Sequence, residues 1–434
     1  MSALDEIADL FVRSARSLQA SGTASDKEVI AHFVPGRIEV IGNHTDYGGG
    51  RSILAAIERG CCMVAAGRTD STLNVTDIII NDTATFQITT DLEPVVGEWS
   101  NYPMTMARRI ARNFPDSIRG ADIAFASNLP QDAGLGSSSM LMIATFLSLS
   151  RLTGISATAR YTGNISSIED LAEYLGLVEN GQSFGSLEGD RGVGTSGGCQ
   201  DHTAILCSRS NALMQYSYRP ARQERLIEWP GEQLFVVGVS GIVAQKTGSA
   251  MKQYNRAAGL MDTALRLWRE STGSDDRHFG EALKGSPDAA DNIRSLLSGS
   301  GVADAPAGDL LDRFEHFFSM SEEIVPSAGE SLAASDVTAF GELCEKAGLL
   351  GERMLKNTVP ETEFLARSAK EAGAVAALPF GAGFGGSVWA MINAVEAASF
   401  MERWAQLYRN EYPDRRNDSR FFTTAPGPPA FELI

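Results

Sequence analysis

The segment Ile41–Gly50, IGNHTDYGGG, places five consecutive polar side chains between two apolar runs and follows them with three glycines. The apolar sequence GRIEVIG precedes it, and RSILAAIERGCCMVAAG follows it. A buried strand does not hold so many polar groups, because each one costs free energy in an apolar interior unless it finds a partner. We therefore predict a turn at a strand end, which is either a surface hairpin or a turn that presents its side chains to a polar ligand.

The charge balance limits which partners the chain can have. It carries 37 lysine and arginine residues against 54 aspartate and glutamate residues, for a formal net charge of −17. Nucleic acids and anionic membrane surfaces bind through clustered basic residues, so we expect neither as a partner. A small anionic substrate stays possible, because one local positive site is enough to bind it.

The cysteines, histidines and apolar runs exclude further classes. Five cysteines with no CxxC pair indicate a reduced, cytoplasmic setting. The five histidines are scattered and no HExxH motif occurs, so no structural zinc is expected. The N-terminal sequence MSALDEIADLFVRSARSLQA predicts an amphipathic helix rather than a signal peptide. The most apolar later run, MLMIATFLSL, is about half as long as a bilayer requires, so no membrane anchor is predicted.

Short β-rich runs and longer runs with helical spacing follow one another along the chain, which predicts an α+β architecture. A chain of 434 residues has room for two or three domains, and we divide it into an N-terminal half, 1–220, and a C-terminal half, 221–434. Residues 189–207 are expected to form a glycine-rich connector, and residues 285–309 to form exposed loops. Helices of the second half are expected around 244–271, 308–323, 336–356 and 360–372.

The segment LPQDAGLGSSS, Leu129–Ser139, leads directly into an apolar run that predicts a buried helix. Gly134 and Gly136 let the backbone approach a ligand closely, and Ser137–Ser139 supply hydroxyl groups. A helix start favours phosphate through its unpaired N–H groups and its positive dipole end. Serine capping of a core helix is the other interpretation. The segment is not a Walker A loop, because GxxxxGK[ST] is absent from the chain.

Two other glycine-rich segments match motifs of other enzyme classes. GAGFGG formally matches GxGxxG at Gly381, Gly383 and Gly386, but SVWAMIN after it predicts a strand where a Rossmann fingerprint needs a helix. GTSGG matches the nucleophile elbow GxSxG with Ser196, but the charged EGDRGVG stands where that motif needs an apolar strand. A dehydrogenase and a serine hydrolase are therefore disfavoured.

Taken in order, three segments resemble the three ordered motifs of the GHMP small-molecule kinases: PGRIEVIGNHTDYGGG, LPQDAGLGSSS and FGAGFGGSVWA. The first looks like the galactokinase signature. GGCQDH is similar to the segment that holds the catalytic aspartate in galactokinase and in related fucose and heptose kinases, and QYNRAAGLMDTA resembles galactokinase's Tyr-Asn-x-Arg stretch. The resemblance spans residues 35 to 389 and implies a two-domain GHMP kinase fold with the active site in the cleft between the halves.

The resemblance implies an ATP-dependent sugar kinase that phosphorylates the anomeric hydroxyl of galactose or a galactose-like sugar, with ATP and Mg²⁺ as cofactors. Carried over to this chain, it makes Arg37 and Asp201 the catalytic pair. The implied sugar contacts are Asn43, His44, Asp46 and Tyr254. The implied ATP-binding residues are Gly134, Leu135, Gly136, Ser137, Ser138 and Ser139. The implied magnesium ligands are Ser138 and Glu179, with Glu188 as the rival of Glu179.

The chemistry of phosphoryl transfer is consistent with the catalytic pair. The protein must align the attacking oxygen with the γ-phosphate and neutralise charge. Asp201 can orient the anomeric hydroxyl and accept its proton, while Arg37 keeps that carboxylate ionised and offsets charge in the transition state. The other interpretations are a loop-capping carboxylate for Asp201 and a surface ion pair for Arg37.

Several positions near the ligands depart from the resembled pattern. Asn43 stands where galactokinases have a glutamate that faces the exocyclic carbon, so galacturonate, arabinose and fucose stay open beside galactose. Asp132 stands where the phosphate loop has glycine, and Gly197 and His202 replace a cysteine and a glutamine. A non-catalytic sugar sensor is a further alternative, although the catalytic pair favours an enzyme. The expected partners are the sugar and ATP, and the expected assembly is a monomer or a weak homodimer.

Overall fold

The computed structural model describes residues 3–20, 28–243 and 248–434 of the chain. Within these ranges the chain forms two β-sheets with helices packed around them, which confirms the α+β architecture. No helix in the described part combines the length and the apolar character that a bilayer-spanning segment needs. All five cysteines are buried and form no disulfide bond.

Two sheets of different size organise the fold. The strands are β1 (Val29–Ile41), β2 (Arg51–Gly67), β3 (Thr72–Asp77), β4 (Asp82–Gln87), β5 (Ala121–Ser127), β6 (Ala212–Ser217), β7 (Arg222–Glu228), β8 (Gln233–Val239), β9 (Ala376–Phe380), β10 (Ser387–Asn393), β11 (Arg420–Thr424) and β12 (Phe431–Glu432). In the described ranges the larger sheet has the order β12-β1-β2-β5-β3-β4, and β6 pairs with β2 and with β7. Its β3–β5 pair is parallel. The smaller sheet, β11-β8-β10-β9, is antiparallel.

Helices cover both sheets. They are α1 (Ala3–Ala20), α2 (Asn101–Asn113), α3 (Ser137–Thr153), α4 (Ala159–Thr162), α5 (Ile168–Glu179), α6 (Gln200–Cys207), α7 (Gly248–Thr272), α8 (Phe279–Gly285), α9 (Ala289–Gly299), α10 (Ala307–Phe318), α11 (Val325–Ala333), α12 (Val337–Leu350), α13 (Pro360–Glu371) and α14 (Ala397–Glu411). Short π-helical segments, Ser319–Ile324 and Gly351–Leu355, extend α10 and α12. The helices predicted around 308–323, 336–356 and 360–372 correspond to α10, α12 and α13 and are confirmed. For α7, the predicted start at 244–247 lies outside the described residues.

Two predictions about loops are wrong. The sequence predicts exposed loops at 285–309, but α9 forms there because Ile293 and Leu297, one turn apart, are both fully buried. The connector predicted at 189–207 ends early, since its last residues form α6 and bury Ile205 against the core. In both places a short amphipathic helix is stabilised by tertiary packing rather than by its own propensity.

Trp389 of β10 joins the two sheets. Its indole Nε1 donates to the carbonyl oxygen of Val40 on β1 at 3.1 Å, and its ring lies 5.5 Å from that of Phe235, centroid to centroid. The side chain is fully buried. Nearby, the hydroxyl of Ser387 donates to the carbonyl oxygen of Ala133 at 2.6 Å, beside the phosphate-loop candidate. These contacts hold the smaller sheet against the larger one and define the sides of a cleft.

The end of the chain returns to the larger sheet. β12 pairs antiparallel with β1, with His32 opposite Glu432. The last strand of the second half therefore completes the sheet of the first half. The division of the chain at residue 220 stays a prediction.

Two buried arginines of α2 hold the segment between α5 and α6, which includes the glycine-rich connector. Nε of Arg108 lies 3.0 Å from Oδ2 of Asp190, and another nitrogen of Arg108 donates to the carbonyl oxygen of Arg191. Nη1 of Arg109 donates to the carbonyl oxygen of Gln182 at 2.8 Å. Arg108 is 4% exposed and Arg109 1%. The glycine-rich connector has few side chains to pack, so these hydrogen bonds determine its path.

Replacing Arg108 should destabilise the protein by leaving Asp190 without its main partner. We expect Arg108→Met to lower the free energy of unfolding by about 3 kcal/mol, because removing one member of a buried ion pair leaves an uncompensated charge. Chemical denaturation measures the change. Arg112→Met is the matched control, since Arg112 approaches the same carboxylate at 3.5 Å but is 34% exposed. Its effect should stay below about 1 kcal/mol, and equal losses in the two variants would contradict a special role for Arg108.

Candidate active site

A polar pocket lies in the cleft between the two halves. Its wall combines β1, the turn after β1, the start of α6, helix α7 and the loop between β9 and β10. The structure brings together these residues predicted from the sequence: Arg37, His44, Asp46, Glu179, Asp201 and Tyr254. Side chains from both halves of the chain therefore face one another, in accordance with a site in the cleft.

Arg37 and Asp201 form a bidentate ion pair. Nε donates to Oδ1 at 2.7 Å, and Nη2 donates to Oδ2 at 2.9 Å. Nη1 donates to the carbonyl oxygen of Gly134 in the phosphate-loop candidate. Only 3% of the Arg37 side chain is exposed, so the pair is not a surface ion pair. Burial lowers the pKa of Arg37, but the charge and hydrogen bonds of Asp201 outweigh it and raise the pKa above its ordinary value.

The path of β1 aims Arg37 into the pocket. The register between β1 and β2 shifts between Pro35 and Arg37 and again between Glu39 and Ile41. Such bulges bend a strand and redirect its side chains. Arg37 and Glu39 lie two residues apart on the strand, and both line the pocket.

The polar turn after β1 is closed by one of its own side chains. The hydroxyl of Thr45 lies 2.8 Å from the carbonyl oxygen of Gly42 and 2.7 Å from that of Arg51. Thr45 is fully buried, so the turn is not a surface hairpin. With the turn closed by this hydroxyl, three neighbouring side chains line the pocket: His44, Asp46 and Tyr47.

Asp46 links this turn to the segment that carries Asp201. Its Oδ2 accepts the backbone N–H of Gln200 at 3.0 Å, and its Oδ1 accepts that of Tyr47 at 3.0 Å. Gly198 permits the approach, because a Cβ there would lie 2.1 Å from Oδ2 of Asp46. Burial raises the pKa of Asp46, and the two N–H groups counteract part of that rise.

His44 and Tyr254 lie side by side in the pocket wall. Nδ1 of His44 lies 3.0 Å from the hydroxyl of Tyr47, and Nε2 lies 3.1 Å from the carbonyl oxygen of Ala382 in the other half. The rings of His44 and Tyr254 are 5.3 Å apart between centroids. Gly197, which replaces a cysteine of the resembled pattern, makes room for Tyr254, because a Cβ there would lie 2.4 Å from the Tyr254 hydroxyl.

Asn43 lies apart from its neighbours in the turn. It lines an adjoining pocket together with Asn357 and Thr358, and that pocket meets the first one at Gly381. The contact of Asn43 with a sugar stays a prediction, and the structure places it in a different pocket from Arg37 and Asp201.

The glycine-rich loop before α3 has an unusual backbone. Gly134 and Gly136 adopt left-handed φ angles of 72° and 81°. Gly136 is the N-cap residue, and in the described structure no side chain caps α3, so the serine-capping interpretation is wrong. Unpaired N–H groups of the first turn, from Ser137 onwards, are therefore suited to an anion. Leu135 instead faces the core and is 1% exposed, while its carbonyl oxygen accepts the N–H of Arg37 at 3.0 Å.

A cavity of about 370 Å³ adjoins this loop. Ser137 and Ser138 line one side. The apolar walls come from residues that sequence reasoning missed: Ile79, Ile80, Trp99 and Tyr102. Apolar and aromatic side chains beside a loop with free N–H groups suit a purine base that carries phosphates. These four residues belong to no motif, so no signal in the sequence connected them with the loop.

Asp132 lines the same cavity. Its backbone is left-handed, with a φ angle of 51°, and burial raises the pKa of its carboxyl group.

Glu179 and Glu188, the two acidic residues considered as metal ligands, have different surroundings. Glu179 is 4% exposed; its Oε2 accepts the hydroxyl of Ser139 at 2.8 Å, and its Oε1 lies 3.5 Å from that of Ser138. His202 lies 3.4 Å from the same carboxylate. The side chain of Glu188 is 70% exposed. Of the two, only Glu179 lines the pocket, although its role as a ligand stays a prediction.

Glu39 is a pocket residue that the sequence analysis did not select. It is 4% exposed and lines the pocket beside Arg37. Burial raises its pKa to about 8, with Arg37 counteracting and Asp201 and Asp46 adding to the rise. A carboxyl group in the middle of an apolar strand sequence gives no signal of its own, because the pattern does not tell whether it faces solvent or a pocket.

Three family models match the chain. The galactokinase galactose-binding signature matches residues 22–67, the GHMP kinase N-terminal domain residues 101–209, and the GHMP kinase C-terminal domain residues 330–410. Together they cover more than half of the chain and include the turn, the phosphate-loop candidate and Asp201. The chain is a galactokinase-like member of the GHMP kinase family. The family confirms the predicted fold and identifies the protein as a phosphotransferase with an alcohol acceptor.

Individual proteins of this kinase family resemble the whole chain. The galactokinase of Lactiplantibacillus plantarum is 29% identical over 87% of this chain and 89% of its own length. The galactokinase of Chloroflexus aurantiacus is 29% identical over 86% of each protein. Among solved structures, Lactococcus lactis galactokinase complexed with galactose superposes with a TM-score of 0.77 and 22% identity, over 97% of this chain and 100% of the other. The likeness in fold therefore extends over both sheets of this kinase.

Glu39 should make the stability of this kinase depend on pH. Its pKa is about 8 in the folded protein against an ordinary value of 4.5, so the folded state keeps a proton that the unfolded state releases between these values. The stability that this proton contributes is fully present below the lower value and is lost as the pH rises through the higher one. We expect the Tm of Glu39→Gln, which cannot ionise, to fall less than that of the natural protein between about pH 5 and about pH 9.

Thermal unfolding at several pH values measures this difference. Glu228→Gln serves as the control, because it removes the same charge from an exposed position on β7. Its Tm should follow that of the natural protein at every pH. Parallel curves for Glu39→Gln and the natural protein would contradict the raised pKa.

Proposed function

We propose that this protein is an ATP-dependent sugar kinase that transfers the γ-phosphoryl group of ATP to the anomeric hydroxyl of galactose. The observation that carries the proposal is the ion pair between Arg37 and Asp201, which joins the pocket behind the polar turn to the phosphate-loop candidate. The galactose-binding signature matches the turn, and the curated relatives are named galactokinases. These comparisons do not favour galacturonate, arabinose, fucose or a non-catalytic sensor.

The proposed reaction needs one proton acceptor and one cation beside the reacting oxygen. The anomeric O–H bond breaks as its oxygen bonds to the γ-phosphorus, the bond from that phosphorus to the bridging oxygen breaks, and ADP leaves. Asp201 accepts the proton, and its hydrogen bonds from Arg37 hold the carboxylate in one orientation. Arg37 offsets the charge that spreads over the phosphoryl oxygens in the transition state.

The sugar is held by the pocket wall around the catalytic pair. Asp46 is fixed by two backbone N–H groups and can still accept a sugar hydroxyl, since a carboxylate has room for about four hydrogen bonds. His44 and Tyr254 offer a ring face and a hydroxyl from opposite halves of the chain. Rigid placement of the sugar in this way aligns its anomeric oxygen with the phosphate.

ATP binds with its base in the apolar cavity and its phosphates on the loop of Gly134–Ser139. The cavity and the loop adjoin each other, and Arg37 touches the loop through the carbonyl oxygen of Gly134. Glu179, at the end of α5, and Ser138, at the start of α3, would hold Mg²⁺, because both offer hard oxygen atoms, and these lie 3.5 Å apart. The ion would supply positive charge that offsets the charge of the phosphates. The described residues hold no group of three or more acidic, histidine or cysteine ligands, so phosphates and water would complete the shell.

The cytoplasm is the proposed location. All five cysteines are reduced and buried in the structure, which suits a reducing compartment.

Asp201→Asn should nearly abolish turnover while the ligands still bind. The substitution keeps the shape of the side chain and removes its charge and its ability to accept a proton, so we expect kcat to fall by roughly 10²–10⁴-fold. ADP release with galactose and ATP, measured in a coupled assay, gives kcat, and calorimetry gives the affinity for each ligand. Asp414→Asn makes the same chemical change at an exposed position and should keep full activity. Normal turnover in Asp201→Asn would remove this residue from the mechanism.

Gly134→Val should impair the use of ATP. The residue has a φ angle of 72°, which a β-branched side chain rarely adopts, and its side chain would enter the space beside the phosphates. We expect KM for ATP to rise by at least about ten-fold, with a smaller effect on KM for galactose.

The matched control for this variant is Gly273→Val. Gly273 has a φ angle of 71° after the end of α7, and a Cβ added there would have no atom within 4 Å, so it tests the backbone strain alone. It should lose stability without a change in KM for ATP. If both variants change KM equally, the loop has no special relation to the nucleotide.

A further inference from the structure

Glu39 is a buried carboxyl group in the pocket wall to which the proposed reaction assigns no role. It follows Arg37 by two residues on β1, and it is 4% exposed. The backbone N–H of Gly381, from the other half of the chain, counteracts part of the rise in the pKa of this carboxyl group. A carboxyl group can form several hydrogen bonds, and a buried polar group is costly when its capacity is unused. A hydroxyl group of a bound sugar would supply a further partner.

The charges around Glu39 determine which ligands suit this wall. Glu39, Asp46 and Asp201 line the pocket with Arg37, and Asp201 occupies that cation with both of its oxygens. A neutral sugar brings hydroxyl groups that can hydrogen-bond to the carboxyl oxygens. A sugar acid brings another carboxylate to a wall that is already rich in them, and like charges at short range repel.

Asn43 is the other residue that could contact the part of the sugar that carries the carboxylate in a sugar acid. It lines the adjoining pocket with Asn357 and Thr358, whereas Glu39 lines the pocket of the catalytic pair. The two residues are on the same stretch of chain, but the second register shift of β1 and the turn separate their directions. The geometry therefore favours Glu39 as the residue nearer to the reacting sugar.

We propose that Glu39 is a specificity-determining residue that hydrogen-bonds a hydroxyl group of the sugar and, in its ionised form, disfavours sugars that carry a carboxylate at that position. The proposal rests on the proposed function.

A raised pKa adds a pH dependence to the exclusion. Burial raises the pKa of Glu39 to about 8, so the carboxyl group is mostly neutral at lower pH, and it repels a sugar acid only as the pH rises through that value. The titratable and charged groups around it are Arg37 on β1, His44 and Asp46 on the turn, Asp201 on α6, Tyr218 after β6 and Tyr254 on α7. Of these, the carboxyl groups of Asp46 and Asp201 add to the repulsion, and Arg37 reduces it.

The test compares galactose with galacturonate in the natural protein and in Glu39→Gln. Coupled ADP release gives kcat/KM for galactose, and inhibition of that reaction gives Ki for galacturonate. At about pH 9, where Glu39 is ionised, we expect Glu39→Gln to bind galacturonate at least about ten-fold more tightly than the natural protein and to have a higher KM for galactose, with KM for ATP unchanged. In the natural protein, Ki for galacturonate should rise with pH toward about pH 9, and in Glu39→Gln this additional rise should be absent.

Three further variants make the test specific. Glu228→Gln, with the same charge change at an exposed site, should match the natural protein in every constant. Asn43→Asp adds a carboxylate to the adjoining pocket, and a larger effect there than in Glu39→Gln would overturn the proposal. Should Glu39→Gln fail to fold, Glu39→Asp retracts the carboxyl group by one methylene and should raise KM for galactose, and unchanged constants in that variant would also overturn it.

The outcomes separate this inference from the proposed function. If the natural protein does not phosphorylate galactose, the proposed function fails, and the inference fails with it. If the natural protein phosphorylates galactose, and Glu39→Gln has the same KM for galactose and the same Ki for galacturonate as the natural protein, only the inference fails.

Discussion

The ion pair between Arg37 and Asp201 is the interaction on which the arrangement of the site depends. A buried guanidinium is tolerated only when acceptors surround it, because its desolvation is costly. Arg37 finds them in the carboxylate of Asp201 and in the carbonyl oxygen of Gly134, which come from positions 164 and 97 residues away in the chain. β1, α6 and the phosphate loop must therefore be placed correctly at the same time, and the reacting groups of a phosphoryl transfer are assembled by the same requirement.

A second set of buried arginines, on α2, stabilises this arrangement. Arg108 and Arg109 bind carbonyl groups of the segment between α5 and α6, and the connector at the end of that segment places Gly198 and Asp201 in the pocket. The glycines allow the close approach to Asp46, but they also leave the connector without a core of its own. Precise placement of a flexible segment then depends on hydrogen bonds from a rigid helix, which is a common way to support a site on a loop.

Sequence reasoning predicted the elements whose signals are local. An apolar run predicts the helix α3, and Arg37 and Asp201 are identified by motifs. The strand predicted after GAGFGG is β10, so the argument against a dinucleotide-binding fingerprint there was correct. It failed at α9, where the deciding contacts of Ile293 and Leu297 are tertiary. It also missed the apolar cavity walls at Ile79 and the pocket position of Glu39, because neither has a pattern that distinguishes a ligand-facing side chain from an ordinary one.

The sequence by itself determined the reaction class and the fold family, because its ordered motifs resemble those of the GHMP kinases, while the phosphate loop and the catalytic pair that these motifs imply stay predictions. Only the tertiary structure decided which acidic residue lies beside Ser138, and that Glu39 rather than Asn43 lines the pocket of that pair. The physical reason is that burial and the direction of a side chain depend on bulges, register and neighbours from distant parts of the chain, none of which a local pattern of residues contains.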